Sequence, residues 1–83
     1  METPKKFTAE ELRCILTELE QEEVYGMVLR AKGIVPAVDG GWIHFDFVPG
    51  EMDIRSGCAA VTGRLCVIGS KLKEEAIAGR FGV

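Results

Sequence analysis

Two amphipathic helical patterns flank a middle stretch that alternates apolar and polar residues. In the first pattern, Leu and Ile recur at positions 12, 15, 16 and 19, which places them on one face of a helix. Thr8 precedes this stripe and Glu11 follows three residues later, so the two residues form a capping box. The pattern therefore predicts a helix that begins after Thr8 and ends near Glu22 or Glu23.

The predicted end of this helix carries an unfavourable charge pattern. Four glutamates fall within residues 18–23, at the end of the helix where its dipole favours cations. The sequence offers no structural reason for this pattern. We expect these side chains to form a solvated acidic surface, and a second contact surface is the alternative.

The middle of the chain predicts three or four strands. Residues 27–35 form a strand candidate that Pro36 stops, residues 42–48 alternate clearly, and residues 51–55 and 63–68 are shorter candidates. Turn signals separate them at residues 39–41, 49–50 and 56–57. A last helix is predicted from residues 71–73 to Phe81, with Ser70 as its cap and Gly82 as its stop.

These elements predict an α+β fold. An antiparallel sheet of three to four strands would carry two helices on one face, in the order α-β-β-β(-β)-α. The 83 residues fit a single domain over residues 1–83, because no linker, repeat or low-complexity segment interrupts them.

Strand alternation divides the side chains of the sheet between two faces. The face under the helices is expected to hold Leu29, Ala31, Ile43, Phe45, Phe47, Met52, Ile54, Leu65 and Val67. The opposite face is expected to carry Arg30, Lys32, Trp42, His44, Asp46, Glu51, Asp53, Arg55 and Arg64. Trp and Arg are enriched where protein surfaces meet. The polar face is therefore a candidate docking surface, although a solvated sheet face with paired charges shows the same pattern.

Composition narrows the possible functions. Lys and Arg total 10 and Asp and Glu total 13, so the net charge is −3, which disfavours nucleic acid and anionic membranes as partners. No signal peptide or membrane span is apparent, and the three cysteines lack a Cys-x-x-Cys pair. These features predict a reducing, cytoplasmic location. Neither Gly-x-Gly-x-x-Gly nor a P-loop is present, so we expect no nucleotide site and no enzyme in this chain.

Few side chains offer chemistry. His44 and Asp46 share a strand face at i, i+2, a weak basis for acid–base catalysis. His44 with Cys66, or with Asp46, offers ligands that zinc or cobalt accepts, but the spacing of cysteine and histidine matches no ligand motif. Cys14 and Cys66 are expected to be small buried residues. The preferred interpretation is that His44 is an ordinary surface residue and that this chain has no metal site. The alternative is a metal carrier that uses His44 and Cys66.

Four segments carry a resemblance to a known family. Residues 28–35 read Val-Leu-Arg-Ala-Lys-Gly-Ile-Val, residues 42–46 Trp-Ile-His-Phe-Asp, residues 48–51 Val-Pro-Gly-Glu, and residues 62–69 Thr-Gly-Arg-Leu-Cys-Val-Ile-Gly. In this order and spacing, and over nearly its whole length, the chain resembles the C-terminal domain of the CobW family of GTPases.

The resemblance implies a role beside a GTPase. Family members are metallochaperones linked to cobalamin synthesis, nitrile hydratase activation or zinc supply, and their N-terminal GTPase domain carries a Walker A motif and a Cys-x-Cys-Cys metal motif. The parent protein would use GTP with Mg and zinc or cobalt, whereas no cofactor is expected in this chain. The implied partners are that GTPase domain and a client metalloprotein. The expected docking residues are Arg30, Lys32, Trp42, His44, Asp46 and Arg55.

The chain departs from the full family pattern in two ways. It has neither the P-loop nor Cys-x-Cys-Cys, so GTP hydrolysis and the main metal site would lie elsewhere. Family domains also begin with a strand just before the first helix, and this sequence starts about where that strand would end. The chain is therefore expected to be either an excised domain or a free-standing module. As an excised domain, it would have an open sheet edge that could pair with another copy.

Overall fold

The computed structural model describes residues 2–60 and 62–82 and confirms the α+β class. The elements in chain order are strand β1 (Glu2–Thr3), helices α1 (Ala9–Glu18) and α2 (Glu22–Tyr25), strands β2 (Met27–Pro36), β3 (Trp42–Val48), β4 (Glu51–Ser56) and β5 (Gly63–Ser70), and helix α3 (Glu74–Phe81). The residue pattern predicted neither β1 nor α2, which are two and four residues long. Strand β1 lies where the resemblance placed the end of a first strand.

The described strands form one antiparallel sheet in the order β1-β5-β2-β3-β4. Strand β2 is central, because it pairs with β3 on one side and with β5 on the other. The turn between β2 and β3 forms where Asp39-Gly40-Gly41 predicted it: Gly40 has φ 95°, and the Gly41 amide donates to Asp39 Oδ1 at 2.9 Å.

Helix α1 begins as the capping box predicted. The Glu11 amide donates to Thr8 Oγ1 at 3.0 Å. The helix ends at Glu18, earlier than expected, and the chain turns before α2. Glu22 and Glu23 therefore lie in the first turn of a new helix, where the dipole favours acids. Glu18 accepts hydrogen bonds from Arg80 of α3, with Nε at 2.8 Å. Within this acidic segment, Glu22 and Glu23 thus lie at the start of α2, whereas Glu18 links α1 to α3.

The helices cover one face of the sheet and enclose the core. Phe81 of α3 contacts Phe7 edge-to-face at 6.4 Å and stacks against Phe45 of β3 at 6.2 Å between ring centroids. All three rings are buried. All but one of the strand residues predicted for this face are buried or half-buried against the core. The residues that agree with the prediction are Ala31, Ile43, Phe45, Phe47, Met52, Ile54, Leu65 and Val67.

Leu29 is the exception, because β2 contains a bulge. The register with β5 shifts between Val28 and Arg30, so one extra residue interrupts the alternation. Val28 stays in the core at 4% exposure, and alternation resumes at Ala31, while Leu29 is 51% exposed. The prediction that Leu29 packs under the helices is therefore wrong.

The start of the last helix also differs from the prediction. Ser70 is the final residue of β5, so it does not cap α3. The residue that precedes α3 is Lys73, which makes no capping bond with its side chain. Its amide donates instead to Tyr25 O at 3.0 Å, and this bond ties α3 to α2. The predicted stop at Gly82 is confirmed, with φ 81° in the left-handed region.

Gly33, in the middle of β2, provides a test of the close packing between strands and core. A Cβ at this position would lie 2.7 Å from Arg64 O and 2.7 Å from Cε2 of Phe45. We expect Gly33→Ala to lower the free energy of unfolding by about 1–3 kcal/mol because both contacts must move apart. Urea unfolding monitored by circular dichroism measures this change.

Gly79 provides the matched control. It lies inside α3, and a Cβ there would meet no atom within 4 Å. Gly79→Ala is expected to raise the free energy of unfolding by about 0.5–1 kcal/mol, because alanine favours helix and restricts the unfolded chain. Equal effects of the two substitutions would contradict the packing at Gly33.

Candidate functional site

The face of the sheet opposite the helices is open to solvent, and we call it the open face. Cross-strand partners share a face, so the strand register assigns all its members except Leu29, which lies in the bulge of β2 and is placed by its exposure. They are Glu2, Leu29, Arg30, Lys32, Ile34, Trp42, His44, Asp46, Val48, Glu51, Asp53, Arg55, Arg64, Cys66 and Ile68. All the docking residues expected from the sequence lie on this face.

One row of side chains crosses the open face through Lys32. Lys32 lies opposite Asp46 on β3 and Cys66 on β5, and Asp46 lies opposite Asp53 on β4. Lys32 also helps to lower the pKa of Asp46 through its charge. The centre of the sheet therefore presents a cation beside a carboxylate on one side and a thiol on the other.

A second row lies next to the first. Ile34 is opposite His44 on β3 and Arg64 on β5, His44 is opposite Arg55, and Arg64 is opposite Glu2. An aliphatic side chain thus lies between a histidine and an arginine. This second row therefore has an apolar side chain at its middle and polar side chains on both sides.

Arg30 and Asp46 form the best-defined contact on the open face. Arg30 Nε donates to Asp46 Oδ1 at 3.2 Å, and Nη2 donates to Oδ2 at 2.8 Å. This bidentate bond is the main reason why the pKa of Asp46 is lowered, and it raises the pKa of Arg30. The side chains stay 49% and 34% exposed. The contact therefore fixes the orientation of the Arg30 and Asp46 side chains but contributes little to the stability of the fold.

A second ion pair lies near the outer strand. Arg55 Nη1 is 2.5 Å from Asp53 Oδ2, and the two residues are neighbours on the same side of β4. Both side chains are more than half exposed. The negative charge of Asp53 is therefore partly balanced within its own strand.

Lys32 and Arg64 take no part in the salt bridges of the described chain. Both line a shallow depression of about 520 Å³ on the open face, together with Ile34, His44 and Cys66. Since both side chains are exposed, their charges are available to a carboxylate brought by a partner.

His44 is held by the chain that follows β4. Its Nε2 lies 3.1 Å from Cys58 O, and in this geometry Nε2 carries the hydrogen and donates it. Gly57 packs so closely against the imidazole that the ring leaves no space for a Cβ. The side of the His44 ring that carries Nε2 therefore holds the loop at Gly57 and Cys58 in place.

His44 and Cys66, the alternative metal ligands, are not neighbours. They lie on β3 and β5, and β2 runs between these strands, which separates the two backbones by roughly 10 Å. Over residues 2–60 and 62–82, no group of three or more His, Cys, Asp or Glu is placed to hold a metal ion. Asp46, the other suggested partner of His44, is bound to Arg30. A metal site at these residues stays an untested prediction.

Trp42 lies at one end of the open face, away from the Arg30–Asp46 pair. It is half-buried and pairs with Pro36 across β2 and β3. It also lines a separate hollow of about 410 Å³ beside Phe7 and Val38. The predicted docking residues thus form a central charged group and one outlying aromatic residue.

The sequence interpretation missed several members of the open face. Cys14 and Cys66 are exposed rather than buried, so that expectation is wrong. Cys66 and Ile68 follow Arg64 at i+2 and i+4, and this alternation would have placed them on the open face. No local signal would have placed Leu29 there, because the bulge depends on the pairing of β2 with β5.

The comparison with known protein families agrees with this fold. Residues 1–82 match the family model of the cobalamin synthesis protein CobW C-terminal domain. The chain belongs to this family. A domain of this family is non-catalytic and has its role within a CobW-type protein. Searches of curated proteins and of solved structures gave no match.

Within residues 2–60 and 62–82, no helix of this CobW C-terminal domain has the length and apolar character needed to cross a bilayer.

The Arg30–Asp46 contact predicts a measurable titration. Because the folded pKa of Asp46 is lowered, its carboxylate contributes stability above its unfolded pKa of about 3.9, and this contribution is lost as pH falls through the folded value. NMR titration of the Asp46 carboxyl should give a midpoint below that of an unperturbed aspartate. Arg30→Gln should raise the midpoint, because the main cause of the shift is removed.

Arg13→Gln is the control for this titration, because Arg13 lies on the exposed side of α1. It should leave the midpoint of Asp46 unchanged. An Asp46 that titrates identically with and without Arg30 would show that the bidentate contact does not form in solution.

Proposed function

We propose that this chain is the interaction and regulatory domain of a CobW-like GTP-dependent metallochaperone. The open face would dock a client metalloprotein, or couple that client to the N-terminal GTPase domain. The observation that carries this proposal is the pair of cations, Lys32 and Arg64, in a depression beside the oriented Arg30–Asp46 pair.

The scaffold beneath these residues suits a docking surface. Strands β2 and β3 each pair with a neighbour on both sides, and the core rings lie directly behind them. Side chains held on such a sheet lose less conformational freedom when a partner binds, which lowers the entropic cost of association. Arg30 is further restrained by two bonds to Asp46.

The charges of the depression favour a particular chemistry in the partner. Lys32 and Arg64 flank Ile34, so a partner surface with a carboxylate beside an aliphatic side chain would complement it. Charge complementarity of this kind contributes mainly to specificity and to the rate of association. GTP, Mg and zinc or cobalt would be bound by the rest of the parent protein, in the cytoplasm.

Lys32→Glu and Arg64→Glu test the proposal in the CobW-type protein that contains this chain. Each substitution replaces an available cation with an anion. We expect the two substitutions together to weaken client binding by about tenfold or more. Metal loading of the client and its affinity for the parent are the measurements. Arg13→Glu on the outer side of α1 is the control and should change neither.

A charge exchange separates docking from folding. Arg30→Asp alone places two carboxylates together, whereas Arg30→Asp combined with Asp46→Arg restores an ion pair in reversed order. We expect the double variant to recover stability but not client loading, because a partner would meet the charges in exchanged positions. Unchanged loading in the Lys32, Arg64 and exchange variants would refute the docking face.

A further inference from the structure

The side chains that β2 and β5 present on the open face form a continuous stripe along the two strands, which we call the β2–β5 stripe. In order along the strands they are Leu29 in the bulge, then Arg30 opposite Ile68, Lys32 opposite Cys66, and Ile34 opposite Arg64. The stripe is apolar at the end beside the bulge and cationic towards the other end.

Two aliphatic side chains make one end of the stripe apolar. Leu29 and Ile68 are each 51% exposed, and the register places both beside Arg30. Residues of this type are most often buried in folded proteins. Apolar side chains of a partner that covered them would remove this area from water, which favours association.

Two cations lie further along the stripe. Lys32 and Arg64 are exposed and take no part in the salt bridges of the described chain. The carboxylates nearest to them in the register are Asp46, which is bound to Arg30, and Glu2, which lies opposite Arg64. The depression around these cations is lined by three cationic and two carboxylate side chains. This small positive excess suits the single charges of carboxylates better than a polyphosphate.

The dimensions of the stripe match those of an α-helix. Two neighbouring strands are together about 10 Å wide, and so is a helix with its side chains. From Ile68 to Arg64 the strand rises about 13 Å, which a helix covers in about nine residues. Helices also cover the opposite face of this sheet, and a helix is a common means of covering a sheet face.

The helical repeat then relates the two ends of the stripe. A helix that places an aliphatic side chain at position i over Ile68 reaches the level of Lys32 at about i+4, because these levels are about 6.6 Å apart. It reaches the level of Ile34 and Arg64 at about i+7 and i+8. These positions lie on one face of a helix.

We infer that the β2–β5 stripe binds an acidic amphipathic helix of the client, which lies along the two strands. This helix carries aliphatic residues at i and i+7 and Asp or Glu at i+4 and i+8. The aliphatic residues contact Leu29, Ile68 and Ile34 and contribute most of the affinity. The carboxylates face Lys32 and Arg64 and set the orientation of the helix. The inference rests on the proposed function, because it names the chemistry of the client that docks on the open face.

The polarity of the stripe favours a client over a permanent contact. The stripe combines aliphatic side chains with charged ones, whereas permanent interfaces are more apolar. Its cations are exposed to water in the unbound chain. These properties suit a contact that forms and dissociates, as the loading of a client requires.

Amide NMR of the 83-residue chain with a designed peptide tests the chemistry of recognition. The probe is a helical peptide of about four turns, with Leu at i and i+7 and Glu at i+4 and i+8, and the control peptide has Lys in place of both Glu residues. We expect the Glu peptide to shift the amides of Leu29, Lys32 and Cys66 but not that of Asp53 on β4. The Lys peptide should bind about tenfold more weakly. A Glu peptide that shifts no amide of the stripe overturns the inference.

Matched variants locate the contact of the peptide. Ile68→Ser removes apolar contact and should raise the Kd of the Glu peptide by about tenfold. Val38 is an aliphatic residue 59% exposed in the β2–β3 turn, outside the stripe, and Val38→Ser should leave Kd unchanged. Lys32→Glu combined with Arg64→Glu should make the chain prefer the Lys peptide. A preference for the Glu peptide that survives this reversal overturns the inference.

Thiol alkylation identifies the source of the helix. Cys66 lies on the stripe, Cys58 follows β4 beside His44, and Cys14 lies on α1; all three cysteines are exposed. Mass spectrometry would compare their alkylation rates in the isolated chain, in the CobW-type protein without client, and in the client-bound protein. We expect slower alkylation of Cys66 in the client-bound protein only, with Cys58 and Cys14 unchanged.

The same labelling separates this inference from the proposed function. Protection of Cys66 before the client is added would assign the stripe to the GTPase domain and overturn the inference. Protection of Cys58 instead of Cys66 by the client would place the client on β3 and β4, which overturns the inference but leaves docking on the open face intact. Protection of neither cysteine by the client would overturn both.

Discussion

Burial of a single face of the sheet is the constraint on which the rest of this structure depends. Phe81 closes the core against Phe7 and Phe45, and the helical stripe Leu12, Ile15, Leu16 and Leu19 is fully enclosed. Lys5 strengthens the closure by donating from Nζ to Phe81 O at 3.0 Å. The described helices all pack against this face. The other face of the domain is exposed, so it must be compatible with water.

The open face meets that requirement in a way that leaves some groups available. Arg30 with Asp46 and Arg55 with Asp53 balance their charges locally, whereas Lys32 and Arg64 do not take part in such pairs within the described residues. The bulge adds Leu29 to the same face. The charged centre of the open face and the exposed apolar side chains of Leu29 and Ile68 at its end are therefore distinct surfaces of one domain.

Features determined by neighbours in the chain were predictable from the sequence, and features determined by distant pairing were not. The Thr8 cap, the Gly40 turn and the alternation of β3 follow from local chemistry, and all are present. The polar face followed from the same alternation. The bulge at Leu29 depends instead on the register with β5, and the role of Glu18 depends on Arg80, which lies 62 residues away. The contact between His44 and Cys58 O was not predictable from a local pattern either, because the two residues are 14 positions apart.

Covalent labelling of lysines tests the central claim, that the open face is the docking surface, most directly. Lys32 lies on the open face, and Lys6 is an exposed lysine outside the sheet, which makes it an internal reference. Amine acetylation, read residue by residue by mass spectrometry, would compare the isolated chain with the same chain in the client-bound CobW-type protein. The account predicts slower labelling of Lys32 with Lys6 unchanged. Equal labelling of Lys32 in both states would contradict it.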